Sequence, residues 1–175
     1  MNSILRYKND SDRVYGVVGM TIAMYLWGGE SLLASVSMER EVGQSLEFTP
    51  AYGFGGNPRL TASLAWREMR KQFEMTAAMI MGNAFCRSYV GLSFVLNDEI
   101  KNHLRDIIRR EGSDSCSFET DESDTIYNKT QRYLDRIFSH YGVVSLARDF
   151  ADTLQRNRTL SSGEVMELLS PLNRM

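Results

Sequence analysis

Glu99 and His103 stand four residues apart in a helical pattern, the spacing that aims two side chains at one metal ion. Zinc needs three or four ligands, and the other histidine, His140, is followed back to Asp135 over five residues, which places that carboxylate off its face. The pair therefore reads as solvated, and no metal or cofactor is expected. Cys86 sits in an apolar helical run and Cys116 in a Ser/Asp-rich stretch. Neither has a histidine close in sequence, there is no Cys-x-x-Cys, and no Gly-x-Ser-x-Gly elbow presents a serine nucleophile. Both cysteines read as reduced thiols of a cytoplasmic protein. Asp149 and Asp152 have the spacing of a helical carboxylate pair, more often an exposed face than an acid and base. Residues 113–124 hold five acidic side chains and no basic one, but lack the Asp-x-Asp-x-Asp-Gly spacing and closing Glu of a calcium loop.

The strongest candidate for contact is the aromatic glycine turn at 52–57 and the pattern it opens onto. Gly53, Gly55 and Gly56 admit backbone angles closed to other residues, and amides ahead of a helix can hold an anion. A phosphate loop would need Gly-x-x-x-x-Gly-Lys-Ser/Thr or a strand before the turn, and Arg59 is the one cation close by. Tyr52, Phe54, Arg59, Trp66 and Phe73 are thus the residues expected to meet a ligand or a partner.

These residues belong to a chain of 175, a length suited to one domain, with 43% hydrophobic and 24% charged side chains. Mean hydropathy is −0.30, as in a soluble globular protein. Twenty basic against twenty-two acidic groups leave a net charge of −2, which offers no general field for nucleic acid. Residues 14–29 are uncharged, and residues 75–96 carry no charge apart from Arg87. The first run is short for a membrane span and the second carries a charge, so both read as core helices, with no membrane partner and no signal peptide.

The elements that must position the candidates follow from the pattern. A first helix starts near Asp10, Ser11 or Asp12 and ends at Gly28 and Gly29; Gly19 and Ala23, four apart, admit a close helix neighbour. Two-residue alternation over 31–49 predicts a small β-hairpin, with helix as the alternative for 31–40. Asn57 and Pro58 predict the cap and first turn of a long central helix, about 58–90, with the stripe Ala62, Trp66, Met69, Phe73, Ala77, Ile80, Ala84. A third helix is expected from 97 to 111, stopped by Gly112, then an exposed acidic loop and a fourth from about 122 to 140. Gly142 is read as the break before a fifth, and Ser161 with Glu164 as the capping box of a sixth. The result is an α-dominated bundle of five or six helices with a minor hairpin.

Function is expected to lie in contact and not in catalysis: a helical scaffold, adaptor or regulator acting on protein partners, as a homodimer along the half-exposed Trp66 and Phe73 stripe. The alternative is a small-molecule binder or enzyme with its pocket between the hairpin, the aromatic turn and the long helix.

Overall fold

A computed structural model describes residues 6–52 and 61–174. The first helix, α1 (Asp10–Leu26), is capped one residue earlier than the sequence suggests, by Asn9, whose side chain accepts the Asp12 N–H at 2.8 Å. That shift matters because it leaves the Asp12 carboxylate available to turn inward. The uncharged run is buried along most of its length, as an all-round apolar helix requires. It terminates at Trp27, and Gly28 takes the left-handed conformation with φ 75°.

Strands β1 (Leu33–Ser37) and β2 (Leu46–Phe48) pair antiparallel, giving the expected hairpin. A bulge between Leu33 and Ser35 changes which face each residue meets, so Leu33 and Val36 are both buried while Ala34 is not. The hairpin is not alone. Strand β3 (Thr159–Ser161) adds to the other side of β1, pairing Val36 with Leu160, and makes a three-stranded sheet in the order β2, β1, β3. Its approach is fixed by Arg158, left-handed at φ 63°, whose guanidinium donates to Glu39 at 2.8 Å and Asp10 at 2.7 Å.

The long helix, α2 (Ala62–Tyr89), begins four residues later than expected. Thr61 is extended and its hydroxyl accepts the Leu64 N–H at 3.3 Å, so Thr61 is the cap of this helix; Asn57 and Pro58 lie outside the described residues. It packs on α1, and on α3 (Asp98–Cys116) and α4 (Thr120–Phe138), which confirms its central position. Helix α1 lies so close that a Cβ built on Gly19 would stand 2.1 Å from the Gly82 carbonyl oxygen. One built on Gly82 would stand 2.6 Å from the Gly19 oxygen and 2.7 Å from Ala23 Cβ. The small-residue spacing read from the sequence is where the two backbones touch.

Gly112 does not stop α3, contrary to the sequence reading. It is buried inside the helix, where a Cβ would meet Ser123 Oγ at 2.6 Å and Phe73 Cζ at 3.1 Å, so it serves close packing and not termination. The helix ends at Ser117, a left-handed serine with φ 54°. The expected acidic loop shrinks to a short link, because Glu119 and Glu122 form a capping box and α4 starts at Thr120. Serine carries a cost in the left-handed region that glycine avoids. Ser117→Gly is therefore expected to raise stability by about 1 kcal/mol, a gain of a few degrees in thermal unfolding; a lower midpoint would refute it.

Gly142 likewise lies within a helix, α5 (Tyr141–Asn157), whose cap is His140. Helix α6 (Ser162–Leu169) has the capping box between Ser161 and Glu164, with the Ser161 N–H donating to Glu164 Oε2 at 2.8 Å. Among the described residues the chain thus has six α-helices and one small antiparallel sheet, and no helix is long and apolar enough to cross a membrane.

Candidate functional site

The candidate residues from the aromatic turn do not converge on one cleft. Tyr52 stacks on Phe48 with ring centroids 3.9 Å apart, and its carbonyl accepts a hydrogen bond from Gln72 Nε2 at 2.5 Å. Its ring fills space between the sheet and α2. Trp66 and Phe73 sit on a different side of α2, each edge-on to Phe118 in the α3–α4 link, at 5.3 Å and 5.1 Å. Phe73 is only 4% exposed and belongs to the core, while Trp66 keeps 41% of its surface in solvent. Phe54 and Arg59 lie outside the described residues.

A second constellation, not singled out as a site from the sequence, joins α1 to α2. Arg87, the one charge in the apolar stretch of α2, donates from Nε to Asp12 Oδ1 and from Nη2 to Asp12 Oδ2, both at 2.7 Å. The two side chains are 1% and 3% exposed. Nη2 also donates to the Arg6 carbonyl at 3.1 Å, and the guanidinium lies between the rings of Tyr7 and Phe94, at 4.8 Å and 5.0 Å. Asn83 donates to the Tyr7 hydroxyl at 2.6 Å, and the Lys8 N–H to Asp12 Oδ2 at 2.9 Å. Burial pushes the Asp12 carboxyl up, yet the Arg87 guanidinium and the Lys8 amide outweigh it and hold the group below its ordinary value. The Asp12 and Arg87 charges are buried against each other, and their further contacts clasp the segment before α1 and the segment after α2 onto the helix pair. A signal for it existed: Arg87 is the single charge between 75 and 96, and a charge buried there needs an acidic partner such as those at the start of the first apolar helix.

The remaining chemistry is dispersed. Cys86 is fully buried and Cys116 nearly so, and burial pushes both thiols above their ordinary value. Glu99 is exposed and His103 half-buried on α3, and among the described residues no group of three metal-ligating side chains forms. Asp149 and Asp152 do share a place, a shallow depression of about 450 Å³ on α5 whose other lining residues are Thr153, Gln155 and Arg156. It lies open to solvent along one helix.

No protein-family model, curated protein or solved structure matches the chain.

What remains accessible is the first part of α2. No residue from 62 to 72 is buried, although every helix that packs on α2 is shorter than its 28 residues. At 1.5 Å per residue α2 extends about 42 Å, and its first three turns, although Trp66 and Met69 lean on the core, contain no buried residue. They carry Leu64, 45% exposed, together with Trp66 and the charged side chains Arg67, Glu68, Arg70 and Lys71. Arg70 Nε bonds Glu74 one turn on, at 3.3 Å.

Proposed function

We propose that this protein works without catalysis, as a scaffold, adaptor or regulator whose business is contact with other proteins, and that it does so as a homodimer. The observation that carries the reading is the exposed start of α2. Turns without a buried residue that display leucine and tryptophan are a surface that another can cover. The groups with chemical potential support the same view, since Arg87 and Asp12 are spent on each other and the thiols are inside. Two unpaired cysteines suit the reducing cytoplasm.

Light scattering on a gel-filtered sample at micromolar concentration is expected to return twice the 20.0 kDa of one chain. A mass of one chain would refute the homodimer. A thermal-shift panel of metabolites is expected to leave the unfolding midpoint where it is. A concentration-dependent rise with one compound would instead favour the small-molecule binder, because a ligand that binds only the folded state stabilises by mass action.

A further inference from the structure

The segment ahead of α1 is held through side chains. Among the described residues, no backbone-to-backbone hydrogen bond ties residues 6–8 to a helix or strand. The anchor of the segment is Tyr7, whose ring enters a notch between α1 and α2. Room for the ring exists because residue 16 is glycine: a Cβ built there would stand 2.7 Å from Tyr7 Cε1 and 2.7 Å from Asn83 Nδ2. The Arg87 guanidinium lies 4.8 Å from the ring centroid, and Asn83 Nδ2 donates to the hydroxyl at 2.6 Å. Arg87 Nη1 donates in turn to Asn83 Oδ1 at 3.4 Å, which sets the amide with its donor towards the phenol.

The backbone on either side of the ring is engaged as well. The Arg6 carbonyl accepts from Arg87 Nη2 at 3.1 Å, and the Lys8 N–H donates to Asp12 Oδ2 at 2.9 Å. Ring, hydroxyl, preceding carbonyl and following amide each meet a group of the helix pair, the set of contacts that recognises a tyrosine within an extended peptide. The flanking residues Arg6 and Lys8 are exposed, so the tyrosine carries the recognition.

We propose that this notch is a binding site for a tyrosine on an extended peptide, filled in the folded chain by its own Tyr7, and that residues 6–8 leave it while the helices stay folded. Leaving costs only the contacts of the segment itself. Asp12 and Arg87 stay joined by two hydrogen bonds of 2.7 Å, so opening lets water reach the pair without parting its charges. Segments held by few contacts open locally at less cost than the whole fold. The ligand that competes for the open notch is another tyrosine-bearing segment, since its groups repeat those of residues 6–8. The site does not depend on the oligomeric state.

Two measurements test it. In the unmodified protein, trypsin cleavage after Lys8 is followed against urea. It is expected to depend on urea less steeply than global unfolding, because local opening exposes less surface. An equal dependence would mean that the segment leaves only when the fold is lost, and would overturn the proposal. In the second, Tyr7→Ala empties the notch of the full chain. The variant is expected to remain helical by circular dichroism and to be cut after Lys8 faster by about tenfold or more. Its unfolding midpoint is expected to rise with the concentration of p-cresol, and less with toluene, which has no oxygen to accept from Asn83. Acetyl-Arg-Tyr-Lys-amide is expected to raise it too, and acetyl-Arg-Ala-Lys-amide to leave it unchanged. A variant that does not fold, or one that neither p-cresol nor the tyrosyl peptide stabilises, overturns the site. Equal rescue by toluene overturns the assignment to tyrosine, and rescue by p-cresol without the peptide overturns the assignment to a peptide.

Discussion

Gly19→Ala is expected to destabilise the fold by about 3 kcal/mol or more, lowering the unfolding midpoint by roughly 6–12 °C. On helix propensity alone the change should help, by about 1 kcal/mol, because alanine is the better helix former. Packing decides against it. The new Cβ would have to stand 2.1 Å from the Gly82 carbonyl oxygen and 2.5 Å from Cys86 Cβ, so α1 and α2 must separate along their shared length. Neither obstacle is the tip of a flexible side chain, and a shift there disturbs the most extensive helix–helix contact among the described residues. Gly163→Ala is the matched control. It sits in α6 with nothing within 4 Å of the added Cβ, and is expected to raise stability by about 0.5–1 kcal/mol. Thermal or urea unfolding of the two variants decides the matter; equal effects would mean that α1 and α2 do not meet at these glycines.

The second large effect concerns the clasp. Asp12→Ala leaves the Arg87 guanidinium in the interior without its counter-charge, at an expected cost of about 3–5 kcal/mol. Removing both partners together, as Asp12→Leu with Arg87→Met, is expected to recover most of that loss, because the desolvation cost of two buried charges disappears with them. A double variant as unstable as the single one would show that the pair contributes more than mutual neutralisation. Acid should act in the same direction as Asp12→Ala. The Asp12 carboxyl titrates below its ordinary value of 3.8 in the folded state, so its contribution is complete above the unfolded value. It is lost as pH falls through the lower, folded value. Urea unfolding at neutral pH and near pH 3 is expected to show the unmodified protein losing stability on acidification. In the double variant the part of that loss due to Asp12 should be missing.

Local chemistry made much of this legible. The small-residue spacing at Gly19 and Ala23 predicted a close helix neighbour, and the Ser161 and Glu164 box predicted the start of α6, because each depends on residues within one or two turns. Burial of the uncharged run followed from its having no polar face. The errors also have local causes. Gly112 and Gly142 look like helix stops to a reading that knows only backbone freedom, but both lie inside helices, and at Gly112 the missing Cβ makes room for Ser123 and Phe73. Strand β3 was missed because its three residues overlap the α6 cap and its partner, β1, lies more than a hundred positions away in the chain.

The candidate contact residues divide the same way. Tyr52, Trp66 and Phe73 were chosen for their type and their nearness to a glycine-rich turn, which says that they will be used and not what they will touch. Only the assembled structure sends Phe73 into the core, stacks Tyr52 on Phe48 and leaves Trp66 half in solvent. Only it brings Asp12 to Arg87, or sets Phe118 of the α3–α4 link against Trp66 of α2. By itself the sequence determined an α-dominated bundle organised by one long helix, since periodicity and caps act over a few residues. Which faces are covered was decided by tertiary structure, because burial depends on neighbours that the chain supplies from far along its length.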